Sequence, residues 1–284
     1  MNDIVYLNGN FIPQDQARVS IMDRGFLFGD GIYEVIPVFN GKLFGLNEHM
    51  ARMEKSLSAI QMKNPLSHAE WKKILKNLLV QNNKTTGNHA FYCQVTRGAG
   101  ETRTHTFSAD LKPTIVAFLT PGTSHTSDEL QKGFSAISAE DSRRRDCYIK
   151  AIALLPNILH LQDAKSKGAI EAILIRNNEV TECTSSNLFI VKDNKILTPP
   201  LSKHILSGVT RNIIIKLAKE NKFEIAETKI TKEMLQNADE IWVTGCIKEI
   251  CPIVILDEKP VGTGKVGDIW KNIVSLYESY KNQG

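Results

Sequence analysis

The chain has 284 residues, 42% hydrophobic and 23% charged, a globular balance that excludes disordered and fibrous classes and gives length for about two domains. Its formal charge of +4 comes from 35 basic and 31 acidic residues, scattered apart from Arg143-Arg144-Arg145, which reads as a solvated turn. No aromatic interleaving marks a nucleic-acid surface. The five cysteines form no C-x-x-C pair and lack histidines at metal-ligand spacing, so they read as reduced thiols with no metal. No basic stretch leads into an apolar core at the N-terminus, and no apolar run approaches the roughly 18 residues of a membrane span. A cytosolic protein without membrane or nucleic-acid partners is expected.

In chain order, the apolar runs Ile4 to Leu7 and Phe11 to Ile12 flank Asn8-Gly9, and Gly31 to Phe39 precedes Asn40-Gly41 and Lys42 to Phe44. Both predict β-hairpins, because Asn-Gly supplies the positive φ of a tight turn. Asn47 is placed to cap a helix from Glu48 to Ile60, where Met50, Met53, Leu57 and Ile60 recur at helical spacing. A helix over 67–81 and strands over 89–97 and 113–119 complete a first domain, 1–120. The stretch 121–128, rich in Pro, Gly, Ser and Thr, reads as a linker. The second domain, 129–284, is predicted to hold a strand at 134–139 and a helix over 153–167. Hairpin strands follow at 171–176, 179–182 and 187–191, then a helix over 209–221. Strands at 224–230, 240–243 and 253–256 lead to a last helix over 266–280.

Several residues could carry chemistry. Lys150 precedes the apolar run Ala151 to Leu155. An amine at so poorly solvated a mouth suits Schiff-base chemistry, although a lysine snorkelling from a helix start fits as well. Glu182, between an apolar strand and a Thr/Ser-rich turn, is either an acid that holds a proton on a ring nitrogen or an exposed strand end. Gly208, Val209 and Thr210 open a helix whose free amides and hydroxyl suit a phosphate, or plain capping. Arg52 is a bidentate phosphate partner or a surface arginine. Arg103 and His105 share a Gly-rich loop and by alternation point the same way, a cation and an imidazole suited to a carboxylate.

These residues lie in order within longer strings: Asp23-Arg-Gly-Phe-Leu-Phe-Gly-Asp-Gly-Ile-Tyr-Glu-Val, Asn47-Glu-His-Met-Ala-Arg52, the Lys150 segment, Thr181-Glu-Cys-Thr-Ser-Ser-Asn-Leu-Phe and Leu206-Ser-Gly-Val-Thr-Arg. Together the strings resemble the class IV aminotransferases of pyridoxal phosphate, over about Val5 to Trp270. The resemblance implies an α+β, fold-type IV protein of two domains, the larger with a β-barrel-like core, dimeric, with pyridoxal 5′-phosphate between the domains. It implies that Lys150 carries the cofactor as a Schiff base and that Glu182 pairs with its ring nitrogen. Arg52 with Val209 and Thr210 would hold its phosphate, and Arg143 would lie near its phenolic oxygen. Tyr33, Arg103 and His105 match the positions that grip the substrate carboxylate in D-amino acid transaminases.

Three activities of that family compete. The Arg-x-His loop favours transamination between a D-alanine-like D-amino acid and a 2-oxo acid. It argues against the branched-chain L-amino acid aminotransferases, which lack it. Aminodeoxychorismate lyases, which release pyruvate and 4-aminobenzoate, share the lysine, the acid and the phosphate grip. A non-catalytic scaffold on this fold is disfavoured by the intact set of Lys150, Glu182, Arg52 and Thr210. The chain departs from the family pattern twice. Ala151-Ile152-Ala153 replaces the usual ending in Asn, and Thr244-Gly245-Cys246 stands where hydroxyl residues usually help bind phosphate, leaving the Gly245 amide and the Cys246 thiol.

Overall fold

The computed structural model describes residues 3–122 and 125–283. The chain divides into two compact units, Met1–Thr123 with Ile149–Ala153, and Ser124–Tyr148 with Leu154–Gly284. Residues 149–153 therefore group with the first unit, whereas the sequence reading puts the whole of 129–284 in the second domain.

The first unit is built on a six-stranded antiparallel sheet in the order β2-β1-β6-β5-β3-β4. Its strands are β1 (Ile4–Leu7), β2 (Asn10–Pro13), β3 (Gly31–Phe39), β4 (Lys42–Leu43), β5 (Asn88–Thr96) and β6 (Thr114–Pro121). Both Asn-Gly turns form as expected, with φ of 48° and 97° at Asn8-Gly9 and 47° and 77° at Asn40-Gly41, the left-handed pair that matches strand twist. The helices are α1 (Arg24–Phe28), α2 (Leu46–Ala59) and α3 (His68–Gln81). Ile32, Ile36 and Val38 of β3 pack with Met53 and Leu57 of α2 and Trp71, Leu75 and Leu78 of α3, each such burial contributing about 1.5–3 kcal/mol. Ser67 and Glu70 close a capping box on α3, the reciprocal pairing that satisfies two orphan amides. Asn47 is not the cap of α2. That helix starts after Gly45 at φ 62°, so Asn47 lies within its first turn.

The second unit holds α4 (Ser127–Lys132), β7 (Phe134–Glu140), α5 (Leu155–Ser166), β8 (Glu171–Arg176), β9 (Glu179–Cys183), β10 (Asn187–Lys192) and β11 (Lys195–Thr198). After these come α6 (Val209–Glu220), β12 (Ile225–Glu227), α7 (Lys232–Gln236), β13 (Glu240–Gly245), β14 (Glu249–Leu256), β15 (Lys259–Pro260) and α8 (Asp268–Gln283). The strands form a mixed nine-stranded sheet, β12-β11-β10-β13-β14-β7-β8-β9, with β15 beside β14. It curls as a half-barrel, in keeping with the expected α+β fold-type IV architecture.

Several expectations change. Of the expected linker 121–128, residues 123 and 124 lie outside the described residues, β6 runs to Pro121, and α4 begins at Ser127 because Thr126 and Glu129 form a capping box. The strand over 224–230 shrinks to β12, and α1, α4, α7 and β11 were not predicted. The Arg143-Arg144-Arg145 triplet is no uniform solvated turn, since Arg143 is buried while Arg144 and Arg145 are exposed. No helix among the described residues is long and apolar enough to cross a membrane.

Trp71 is fully buried and its indole N–H donates to Asn64 Oδ1 at 3.2 Å. Trp71→Ala is expected to cost about 3–5 kcal/mol, against under about 0.5 kcal/mol for Val80→Ala at an exposed site of the same helix. Urea midpoints of the two variants check this, and equal midpoints would contradict the packing described.

Candidate active site

In the first unit, the segment Ile149–Ala153 is stapled along β3. The Tyr33 N–H donates to the Lys150 carbonyl at 2.9 Å and the Ile152 N–H to the Gly31 carbonyl at 3.1 Å, and the Lys150 N–H donates to Ser56 Oγ on α2 at 3.2 Å. The lysine is thus fixed at its main chain from two elements, although its approach, 141–149, is irregular rather than strand-like. Its Nζ lies 4.0 Å from the centroid of the Tyr33 ring, a cation–π distance. Tyr33 in turn stacks on Tyr92 at 5.6 Å, and Tyr92 on Phe118 at 5.0 Å. The aromatic row limits where the amine and the Tyr33 hydroxyl can go. Gly29, at φ 67°, ends α1 with room for Ala153 against it, a Cβ there meeting the Ala153 Cβ at 3.0 Å.

Pleating sends the residue after Tyr33 to the opposite face, and there Glu34 is fully buried. Arg52 grips it with Nε at 2.8 Å and Nη2 at 2.7 Å, a bidentate pair, and His49 Nδ1 lies 2.9 Å from the same carboxylate. Although burial pushes the Glu34 carboxyl up, Arg52 and His49 together hold it well below the usual carboxylate range. Arg52 is therefore not a surface arginine. Its guanidinium is oriented by Glu34.

In the second unit, Glu182 ends β9 buried, which excludes the exposed strand-end reading. The Arg143 Nη1 donates to Glu182 Oε1 at 2.5 Å, while Asn187 Nδ2 and the Leu206 N–H donate to Oε2 at 3.2 and 3.0 Å. Burial nevertheless pushes the carboxyl up to about 7, against the pull of Arg143 and the Leu206 amide. Arg143 also donates Nε and Nη2 to Asp141 at 2.9 and 3.0 Å and Nη2 to the His204 carbonyl at 3.2 Å. Its guanidinium is thus engaged by Asp141 and Glu182.

Gly208 is the N-cap of α6 and a close approach requires it, for a Cβ would meet Asn187 Oδ1 at 2.0 Å. Asn187 thereby holds both Glu182 and the Leu206 carbonyl, the latter at 2.9 Å, and so ties the acid to the start of α6. Val209 and Thr210 are buried in the first turn, whose amides have no carbonyl inside the helix. Gly245 ends β13, and Cys246 follows in the turn to β14, half-buried. A Cβ at Gly245 would meet Ser185 O at 3.5 Å, ordinary contact, so packing does not require glycine there.

Arg103 and His105 lie on the exposed 101–112 loop of the first unit. The Phe28 ring contacts both, with the Arg103 guanidinium 5.0 Å and the His105 ring 5.4 Å from its centroid, so the two side chains share one aromatic neighbour. The predicted residues divide between the units: Tyr33, Arg52, Lys150, Arg103 and His105 fall in the first, with Lys150 against Tyr33, Arg103 and His105 against Phe28, and Arg52 on Glu34 across β3 from Tyr33; Arg143, Glu182, Gly208, Val209, Thr210, Gly245 and Cys246 fall in the second. Sequence reasoning missed Glu34, His49, Asp141, Asn187 and Glu171. The last is a fully buried acid that accepts from Thr184, from Ser185 at 3.0 Å, from Ser186 at 2.9 Å and from Lys248 at 2.7 Å, pinning the turn after Glu182. For Glu34 the signal available was an acid inside an apolar strand, and for Glu171 and Asn187 a polar residue heading one, patterns that need a buried partner; His49 on α2 and Asp141 in a loop gave none.

A model of the family described as amino-transferase class IV matches residues 31–256. A D-alanine aminotransferase of Bacillus licheniformis is 41% identical over 275 residues, covering 97% of this chain and 96% of the relative. One of Staphylococcus aureus is 39% identical over 277 residues, covering 97% of each. Among solved structures, a branched-chain amino acid aminotransferase of Escherichia coli is similar at a TM-score of 0.89 and 25% identity, covering 99% of this chain and 95% of the other. A branched-chain aminotransferase of Thermoproteus uzoniensis, solved with norvaline, gives 0.88 and 25%, covering 98% and 94%.

The raised Glu182 carboxyl has a consequence for stability. Folding lifts its pKa from 4.5 to about 7, so between those values the folded chain holds a proton that the unfolded chain releases, and this group's contribution to stability falls as pH rises through the window. Glu182→Gln is expected to flatten that slope relative to the unaltered chain in thermal melts of protein freed of bound small molecules. Parallel slopes would contradict the burial of an under-compensated acid.

Proposed function

The chain belongs to the class IV aminotransferases, and on that footing we propose that it exchanges an amino group between a D-alanine-like D-amino acid and a 2-oxo acid with pyridoxal 5′-phosphate as cofactor. The observation that carries the D-specific part is that Arg103 and His105 both lie against the Phe28 ring, a cation and an imidazole held near one point of a loop, as a carboxylate grip can use. Full-length relatives named D-alanine aminotransferases support the same substrate class.

The donor set fits the cofactor. Glu182 is a buried acid whose carboxyl stands near 7, so a cation set against it would stabilise its charged form. A protonated ring nitrogen is such a cation. In the second unit, the opening amides of α6 and the Thr210 hydroxyl, with the Gly245 amide and the weaker Cys246 thiol, suit a phosphate; in the first, Arg52, oriented by Glu34, is a guanidinium of the kind that pairs with one. Bound, the cofactor supplies an electron sink for the pair released at the substrate's α-carbon.

The chain's residues do the rest. Lys150 Nζ would hold the cofactor covalently until the substrate's own amine takes its place on that carbon, and the freed Nζ would then take up the proton from the α-carbon and hand it on, with its reach limited by the Tyr33 ring. Glu182, held by Arg143, Asn187 and the Leu206 amide, would keep a ring nitrogen set against it protonated. Tyr33, Arg103 and His105 bind the α-carboxylate and so decide which face of the α-carbon meets Lys150. The first substrate leaves as a 2-oxo acid, and a second 2-oxo acid, 2-oxoglutarate or pyruvate, receives the amino group.

We further assign the enzyme to the cytosol as a homodimer. Leu155, Ile158 and Leu159 stand 66%, 60% and 61% exposed on α5, and apolar side chains so displayed on one helix suit a second copy.

Purified holoenzyme given D-alanine and 2-oxoglutarate is expected to yield pyruvate and D-glutamate, while L-alanine and L-leucine yield no 2-oxo acid and no glutamate of either hand. Lys150→Ala is expected to abolish turnover, and Arg103→Ala to raise KM for D-alanine about tenfold or more. Pyruvate released from aminodeoxychorismate with no amino acceptor, and no turnover of any D-amino acid, would replace this reading with the lyase.

A further inference from the structure

The loop that carries Arg103 and His105 has no core beneath it, since residues 101–110 are all exposed. It is held from its main chain by one buried side chain. Arg24, at the start of α1, donates Nη1 to the Thr104 carbonyl at 2.7 Å and to the Thr106 carbonyl at 3.2 Å, and Nη2 to the His105 carbonyl at 3.0 Å. Three consecutive carbonyls turned to one guanidinium impose an arc, and the arc puts the alternate side chains 103 and 105 together on the Phe28 ring. The Arg24 guanidinium lies 4.9 Å from that same ring.

Arg24 is itself fixed. Its Nε donates to Asp30 at 2.8 Å, and Asp30 also accepts from Arg97 Nε at 2.8 Å and Nη2 at 3.0 Å. Arg97 donates to the Ile60 carbonyl at 2.7 Å and lies 3.7 Å from the Phe107 ring centroid, pinning the far side of the loop. Asp23 caps α1 by accepting from the Gly25 N–H at 2.8 Å, and it accepts from Thr96 at 3.0 Å and Thr114 at 2.6 Å. The short helix is thus joined to the ends of β5 and β6. One acid between two arginines, both buried, leaves the Arg24 fork in a single orientation.

We infer that Arg24 is the positioning residue for the Arg103–His105 pair, setting carboxylate affinity through three main-chain carbonyls without touching substrate. The inference deepens the proposed D-amino acid reading and rests on it. Lysine keeps the charge of Arg24 but cannot fork to three carbonyls while holding Asp30, so the loop loses its arc while the sheet and helices keep theirs.

The test is steady-state kinetics of the holoenzyme with D-alanine for Arg24→Lys, Arg103→Ala and the double variant, with the cofactor's visible absorbance and the melting temperature followed in each. Arg24→Lys is expected to raise KM about tenfold while kcat changes by less than about threefold, and to add less than about twofold in the Arg103→Ala background, because residues acting as one unit are not additive. If Arg24→Lys fails to fold, Phe107→Leu loosens the same loop from the Arg97 side and is expected to raise KM about threefold with kcat kept. An unchanged KM in the folded variant, or an effect that multiplies in full onto Arg103→Ala, would overturn the inference. An unchanged KM in Arg103→Ala itself would instead overturn the underlying assignment of the loop.

Discussion

A carboxylate taken out of water loses several kcal/mol of hydration that only directed donors and opposite charge return, and Glu182 places that demand at the centre of the second unit. Arg143 answers it from one side and is held there by Asp141. Asn187 and the Leu206 amide answer from the other, and Asn187 reaches its place because Gly208 carries no side chain. The start of α6, the end of β9 and the loop before residue 143 are thereby tied to one acid. Glu171, at the start of β8, repeats the device, fixing the turn 184–186 and with it the strand that presents Asn187. The acid remains only partly compensated by its own chain, and this leaves it receptive to a cationic ring nitrogen.

The first unit uses the same physics to place cations. Arg52 is oriented by Glu34, and Arg24 and Arg97 by Asp30, so guanidinium groups that would otherwise sweep many rotamers each stand in one. Lys150 is placed differently. Its segment is hydrogen-bonded along β3 and to Ser56 on α2, and its amine rests on the Tyr33 ring. An amine proposed to take a proton from one atom and pass it to another needs freedom at its tip and none at its base.

Much of this was legible in the sequence wherever local chemistry decides the outcome. The Asn-Gly hairpins, the helix α3 and the strands β3, β5 and β8 followed from turn residues and periodicity, because φ preference and burial act within a few residues. The short elements α1, α4 and α7 carry too few apolar positions to show a period. Arg143 read as part of a solvated triplet, since a run of three charges gives no hint that Asp141 and Glu182 bury the first of them. Lys150 read as belonging with the residues around it, and its pairing with β3 spans more than a hundred positions. The family strings named the site residues, while Glu34, Asp141 and Asn187 emerge only once three dimensions bring them to the residues they orient.

Stereochemistry at the α-carbon is the claim on which the account turns, because one lysine and one carboxylate grip together allow a proton to be taken from a single face. The most direct measurement is hydrogen–deuterium exchange at the α-carbon of alanine, followed by proton NMR in D2O with the holoenzyme and no amino acceptor. The account predicts loss of the α-proton signal from D-alanine and none from L-alanine, with the exchange absent in Lys150→Ala. Exchange from L-alanine, or from both hands at similar rates, would contradict it.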